Sequence, residues 1–500
     1  MRYKSPDHVI ASSELLRRLE ASLARLEQPE YELKYVRKMD DSGWPGDYRG
    51  RALLAMTQLS KVLDKRCAYL DDLAEDTLKY LSVKGYGGDI VDLSAVNEQQ
   101  LAGHSWLIRG LMEYGKYRDD TRFLEAAKRL FEELYLAVKI CFGAYPLPDT
   151  KLDAGGPAGA IIGQTKEGWQ LSSDCGCVFI ALDGLSDYYA QTGDVRAKAA
   201  FDALVKRFFE LDPVKSGLQT HATLSALRGL MRMYSVDGDA NLLKAVKDRF
   251  EDYLTHALTL NYANYNWFGR PRWTECCAVA DSYLLSMALW REGLGDRYIE
   301  IAERILYNGL MAGQRKNGGF GSDCCLTPDG KVTRLVPHPE CYEAFWCCTM
   351  RGVEGLTEAL RSGVHIEGNR VHITGWNPGQ YLFGNVTVDI RGDFPWENRG
   401  TVTVFGESGQ YSLYLYPADA SMEICQGGSA VIREEIPFVM SVNNGETVEA
   451  AFDLSVRKVP VASGKMLWKG PLMLDSDKRP LSHRMYMPVE DLKDGIQVII

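Results

Sequence analysis

The sequence predicts a mostly α chain with an all-β C-terminal part, an (α/α)6 toroid followed by an antiparallel β-sandwich, and three observations predict it. From about residue 45 to 361 one phrase keeps returning: an apolar helix, a short turn often ending in Gly-Asp, and a second helix rich in Ala, Lys, Arg and Phe. In each phrase the first helix is apolar nearly all round and the second has a polar face, as inner and outer helices of a ring would. After Ser362 the texture changes to short alternating strands separated by turn residues.

The elements follow in chain order. A first hairpin reads at 48–83, the four clearest copies occupy 105–134, 177–211, 223–254 and 282–310, and a last hairpin reads around 349–361. Six hairpins close a ring, so residues 1–361 form a toroid catalytic domain. The segments 365–376, 384–394, 400–417, 443–460 and 464–474 alternate apolar and polar residues, which makes 362–500 a β-sandwich domain. A chain of 500 residues is long enough for more than one core.

Composition narrows the function. With 46% hydrophobic and 25% charged residues the chain is an ordinary globular one. A formal net charge of -10 and no basic stripe exclude nucleic acid as the main partner, because phosphate binding needs clustered Lys and Arg. The N-terminal segment lacks the apolar core of a signal peptide, and no uncharged apolar run is long enough to span a bilayer. A cytoplasmic location without membrane association is therefore expected, and the sequence is compatible with a homo-oligomer. Twelve cysteines, with vicinal pairs at Cys276-Cys277, Cys324-Cys325 and Cys347-Cys348, do not resemble a disulfide framework. In a reducing compartment such pairs ligate metal or do chemistry, while Cys67, Cys141 and Cys425 read as small buried apolar residues.

Inner helices of a hairpin ring all point one way, so residues just before them gather at one end of the barrel. Counting back from the Asp that closes each inner helix, His104 lies 16 residues before Asp120, Cys177 17 before Asp194, His221 18 before Asp239 and Cys277 19 before Asp296. Trp44 and Asp47 precede the first inner helix, and Cys347 and Cys348 precede the last. At that end the motifs WTECCAVADS (273–282) and WCCTMRG (346–352) offer Glu275 and Cys277 from one loop and Cys347 and Cys348 from another. Those four ligands are the number a tetrahedral zinc site takes. The segments SDCGC (173–177), SDCC (322–325) and HPEC (338–341) compete, so Cys175, Cys177, Cys324, Cys325 and Cys341 stay open as ligands of the same or a second site.

At these residues the chain resembles glycoside hydrolase family 127, the β-L-arabinofuranosidase family. The likeness includes the Trp-Gly-Asp region at 44–50, AGHSW at 102–106, THATLSAL at 220–227, WTECCAVADS, RILYNGL at 304–310, FWCCTMRG, and GDFPWENRGTVTV and LWKGPLML in the β part. The resemblance implies that Glu275, Cys277, Cys347 and Cys348 hold zinc, that Cys347 is the nucleophile, and that His104 and His221 touch the sugar. It also implies a retaining reaction through a thioglycosyl intermediate on a carbohydrate substrate. Asp174, Trp44 and Asp47 join the histidines as substrate-binding candidates.

One departure stands out. The family keeps its general acid/base, a Glu, shortly before the E-x-C motif, and here the stretch 256–274 has no carboxylate. Glu343, on the loop that carries Cys347, is the first candidate to replace it, with Glu340, Asp174 and Glu167 behind it. The stretch NYANYNWFGRPRW (261–273) is instead dense in aromatics and amides, as a sugar-stacking wall would be. The reading is a zinc-dependent retaining glycoside hydrolase acting on a terminal β-L-arabinofuranosyl or related sugar. Two readings compete with it: an inactive carbohydrate-binding relative with a structural zinc, and a sugar epimerase or isomerase, which would not need Cys347.

Overall fold

The structure, a computed structural model, describes residues 3–40, 42–147, 161–323, 325–331, 342–416, 421–426, 429–432 and 436–486. Among the described residues, six helices line the barrel: α2 (Asp47–Val62), α4 (Glu98–Arg118), α6 (Ala181–Thr192), α8 (Thr220–Asp237), α10 (Cys276–Arg291) and α12 (Cys348–Arg361). Each packs on the next, and α12 closes on α2. Outer helices α3 (Leu70–Leu81), α5 (Thr121–Leu130), α7 (Val195–Phe209), α9 (Ala240–His256) and α11 (Arg297–Ile305) return beside them. The sixth outer helix differs from the expectation around 349–361: it is α1 (Glu14–Leu26), which packs on α12 and α2, so the N-terminal part of the chain shuts the ring.

The recurrent Gly-Asp turns have a local cause. Gly193 and Gly238 end α6 and α8 at φ of 68° and 73°, a left-handed cap that glycine adopts without strain. The Asp that follows starts the outer helix rather than ending the inner one. Asp120, Asp194 and Asp239 accept from the backbone N–H of Arg122, Arg196 and Asn241 at 3.0, 2.9 and 2.9 Å. Asp296 caps nothing and accepts from Trp290 Nε1 at 3.1 Å. Where α2 crosses α4, a Cβ on Gly50 would lie 2.3 Å from the Leu107 backbone nitrogen, so the absent side chain permits the close approach.

Beyond α12, a seven-stranded sheet runs in the order His8–Ala11, Gly379–Phe383, Val386–Arg391, Arg399–Phe405, Thr447–Phe452, Met422–Gln426, Ser429–Ile432, so its first strand comes from the N-terminal segment. It faces a four-stranded sheet of Phe438–Asn443, Gln410–Leu415, Arg370–Ile373 and Val364–Glu367, in which the middle pair is parallel and the rest antiparallel. Alternate residues such as Tyr411, Leu413 and Leu415 turn inward, the period-two pattern that the sequence shows. Strands Val456–Val461, Gly464–Lys469 and Leu472–Leu474 leave the sandwich as a separate sheet, and Met466, Trp468 and Met473 pack on Ala312 and Leu326 of the toroid. Asn308 fastens it, donating to Pro471 O at 2.9 Å and accepting from Met473 N at 2.7 Å. No helix among the described residues is long and apolar enough to cross a membrane.

Candidate metal centre

A small sheet at the helix N-terminal end brings the two cysteine loops together. Thr274–Glu275 pairs with Gly321–Asp323, which pairs in turn with Tyr342–Glu343, all antiparallel. The segment read as SDCC thus supplies the middle strand, and α10 and α12 leave the two outer strands side by side.

Glu275, Cys277, Cys347 and Cys348 each present a donor atom within 4.8 Å of the others, a group able to hold a metal ion. Cys348 Sγ lies 3.8 Å from Cys277 Sγ and 3.6 Å from Cys347 Sγ. Cys277 and Cys348 are fully buried, whereas Cys347, at the N-cap of α12, is half-buried. Burial pushes the Cys277 thiol well above its ordinary range. Burial likewise raises Glu275, which accepts from Gln219 Nε2 at 3.3 Å.

The other predicted residues fall into different places. His221 is 2% exposed, stacked on Trp106 at 5.8 Å, with Nδ1 4.0 Å from Glu275 Oε1. Its Nε2 lies 3.5 Å from Asp281 Oδ2 without forming a hydrogen bond, and burial followed by the charges of Arg51, Arg351 and Arg228 keeps the ring neutral. Trp44 is half-buried against the cluster of Leu54, Ala102, Trp106, Cys177, Ile180 and Ala222. Asp47 gives both carboxylate oxygens to Arg51 Nε, at 2.9 and 2.8 Å, and so holds a neighbour rather than reaching out.

His104 does not offer itself to a sugar. It is fully buried, accepts from Gly87 N–H at 2.8 Å through Nε2 and bonds Gln100 O at 2.7 Å through Nδ1. The count from Asp120 misplaced it because α4 begins at Glu98, which sets His104 more than a turn inside the helix, while His221 and Cys277 are second residues of theirs.

Glu343 is committed elsewhere as well: it accepts from Arg25 Nε at 2.8 Å, Thr349 Oγ1 at 3.0 Å and Asn317 Nδ2 at 2.7 Å, which ties both oxygens to the outer wall. Asp174 is 7% exposed, with its carbonyl accepting from Cys177 N at 3.0 Å. Glu167 is exposed at a hairpin tip with φ of 52°. Glu340, Cys324 and Cys341 lie outside the described residues.

Of the competing cysteines, Cys175, Cys177 and Cys325 belong to no metal-competent group among the described residues. Cys175 and Cys325 donate to Ser173 O and Arg272 O, and Cys177 is packed beside Glu98. Glu98, which sequence reasoning passed over, is fully buried and accepts from Ser172 N, Tyr145 OH and Val178 N, with burial raising its carboxyl to about 7. The expected sugar-stacking wall also faces inward: Trp267 and Trp273 are 3% and 7% exposed and pack edge to face at 5.0 Å.

Two residues that the sequence reading missed touch the donors directly. Gln219 is the first. Arg51 is the second, its Nη1 3.7 Å from Cys277 Sγ. The signal for Arg51 was its spacing from Asp47, an acid and a base four apart at the start of an inner helix.

The part of the toroid that carries the thiol-carboxylate cluster is similar in sequence to the catalytic domain of a glycoside-hydrolase family. Within it, residues 212–360 match the family model described as "Beta-L-arabinofuranosidase, GH127 catalytic domain", and this stretch contains all four donors. The resemblance to family 127 read from the sequence holds there. No curated protein matches the chain in sequence.

Solved structures are similar over nearly the whole chain. A GH127 β-arabinofuranosidase aligns at 13% identity and a TM-score of 0.69, covering 94% of this chain and 84% of that one. A GH127 β-L-arabinofuranosidase from Geobacillus stearothermophilus T6 aligns at 15% identity and 0.65, covering 93% and 86%. A protein described as a glycoside hydrolase aligns at 14% identity and 0.66, covering 94% and 83%. At these identities the likeness is one of fold.

Proposed function

We propose that the protein is a zinc-dependent retaining glycoside hydrolase with Cys347 as nucleophile, acting on a terminal β-L-arabinofuranosyl or related sugar. The observation that carries it is the donor cluster of Glu275, Cys277, Cys347 and Cys348. Sulfurs about 2.3 Å from a tetrahedral zinc sit about 3.8 Å from one another. The two Sγ separations, 3.8 and 3.6 Å, fit that spacing, and a donor set of three sulfurs and a carboxylate suits zinc among divalent ions. A bound dication supplies the positive charge that keeps such thiols deprotonated at neutral pH.

Cys347 is the sulfur for attack because it alone of the three is partly exposed, and like the other two it lies at a helix N-terminus, where a thiolate is favoured. Its sulfur bonds to the anomeric carbon as the bond to the leaving oxygen breaks and that oxygen takes up a proton. Water then adds at the same carbon and gives up the proton that the first step consumed, the carbon–sulfur bond breaks and the thiolate returns, so two inversions retain configuration. The resemblance to family 127 makes His221, whose Nδ1 lies 4.0 Å from Glu275 Oε1, the residue for sugar contact beside the donors. Glu343 is not assigned the proton transfer, since Arg25, Thr349 and Asn317 occupy its oxygens.

The test is zinc content together with p-nitrophenol release from a panel of furanosides and pyranosides, for the wild type and Cys347→Ser. Release from a β-L-arabinofuranoside that falls at least ~10⁴-fold in the variant is expected, the scale for removing a nucleophile. A pentosyl mass on the Cys347 peptide in quenched wild-type reactions would confirm the intermediate. Undiminished turnover by the variant would remove Cys347 from the mechanism. Zinc with no turnover of any glycoside favours the second reading, a carbohydrate-binding relative with a structural ion, which the engaged state of Glu343 supports.

A further inference from the structure

Within the metal reading, the residue that most needs a role is Arg51. It is 5% exposed and cannot turn away. Asp47 holds its Nε edge with both oxygens, at 2.9 and 2.8 Å, and the guanidinium lies over the Trp106 ring at 4.3 Å. Trp106 is itself fully buried, with Arg351 at 4.5 Å and His221 stacked at 5.8 Å. This clamp leaves the Nη groups to other partners, and Nη1 donates to the Cys277 sulfur, 3.7 Å away.

The chemistry around it calls for such a donor. Three thiolates and a carboxylate about a dication leave two negative charges in excess at sulfurs that are almost wholly out of water. Buried charge is stable only when charge and hydrogen bonds meet it. An N–H bond to a ligand sulfur draws off part of that excess, and partners of this kind orient metal ligands. The distribution is unequal: Cys277 receives the arginine's N–H bond, while Cys347, which feels the same positive charge, is the more open of the two.

We propose that Arg51 is a positioning residue of the metal centre, its N–H bond fixing Cys277 as a permanent ligand and leaving Cys347 as the sulfur able to loosen and react. Asp47 and Trp106 act through it by setting its direction. Asp47 thereby serves the metal ligands rather than the sugar.

The experiment is zinc affinity measured by chelator competition for wild type, Arg51→Lys, Arg51→Gln and the double variant Arg51→Gln/Asp47→Asn, which leaves no unpaired carboxylate. Melting curves identify the folded variants. Affinity is expected to fall ~10–100-fold in the Gln variants, the usual cost of losing a partner of a metal ligand. Arg51→Lys should fall in between, because lysine keeps the charge but not the fixed fork. The thiolate-to-metal absorption of the cobalt form should change in the folded variants, and kcat should fall more than KM rises. Unchanged affinity and spectrum in folded Arg51→Gln/Asp47→Asn would overturn the role of Arg51 while leaving the metal reading intact. A wild type that binds no zinc would overturn both.

Discussion

The two ends of the barrel are built from opposite materials. At the N-terminal end of the inner helices, sulfurs and a carboxylate face one another with one arginine beside them. At the other end a cavity of about 1100 Å³ is lined by Arg109, Arg228, Arg232, Arg291, Glu354 and Glu358. There the charges are matched: Arg109 and Arg228 reach Glu354 at 2.9 and 2.6 Å, Arg232 reaches Asp183 at 2.6 Å, and Arg291 reaches Glu358 at 2.9 Å. This cavity is thus walled by ion pairs rather than by a set of metal-competent donors. Paired buried charges of this kind hold a fold together, whereas three sulfurs and a carboxylate turned toward one another form a group able to hold a metal ion.

The far end can be broken most severely at Asp183. It is fully buried, with Arg232 at 2.6 Å, Arg109 at 3.1 Å and Arg228 at 4.0 Å. Asp183→Ala strands those cations and should cost about 3–5 kcal/mol in a denaturant titration, with zinc stoichiometry unchanged. Despite its burial, the arginines, Arg109 foremost, hold the Asp183 carboxyl far below the usual carboxylate range. Its folded value is depressed, so its stabilisation is present above the unfolded value of about 4 and is lost as pH falls below it. The variant should show a flatter stability profile below pH ~4 than the wild type. Equal slopes would mean that the pairing does not hold Asp183 ionised.

His104 sharpens the comparison from the reactive side, because by sequence it is a site residue and by geometry a wall residue. Burial lowers its pKa from 6.5 to about 4. The unfolded chain takes up the proton first, so stability is whole above pH 6.5 and declines from there to about 4, by up to ~3 kcal/mol. His104→Gln should lose this slope between pH 7 and 4.5 while KM changes less than ~3-fold, as expected for a group that touches no substrate. A large rise in KM with an unchanged slope would return His104 to the sugar.

How far the sequence could be read follows from which signals are local. Helix pairs were legible because the apolar period and the Asp120, Asp194 and Asp239 caps are written within a few residues. Ring closure by α1 and the strand His8–Ala11 in the sandwich were not, since each meets partners more than 300 residues away. The donor cluster was legible as two motifs next to helix starts, but the strand Gly321–Asp323 that joins them looked like another ligand motif. Composition could not tell whether Trp267 and Trp273 face a sugar or each other, and a constant count from the turns could not reveal that α4 starts early.

The ends are also connected, which gives the smallest effect and the finest test. Arg228 lies 4.0 Å from Asp183 and 2.8 Å from Asp281; Asp281 is 3.5 Å from His221, which is 4.0 Å from Glu275. Zinc at ~100 times its dissociation constant should stabilise the wild type by about 2.7 kcal/mol, and chelation should remove that gain. Cys277→Ala should abolish the zinc shift. If charge passes along the chain of groups, Asp281→Asn should change the zinc shift by about 0.5–1 kcal/mol although Asp281 binds no metal, whereas groups that share no partner add independently. An unaltered shift in Asp281→Asn would make the two ends neighbours in space only. A smaller shift would mean that the paired arginines help to set the charge at the sulfurs, so the same residues that hold the barrel together would also tune its reactive end.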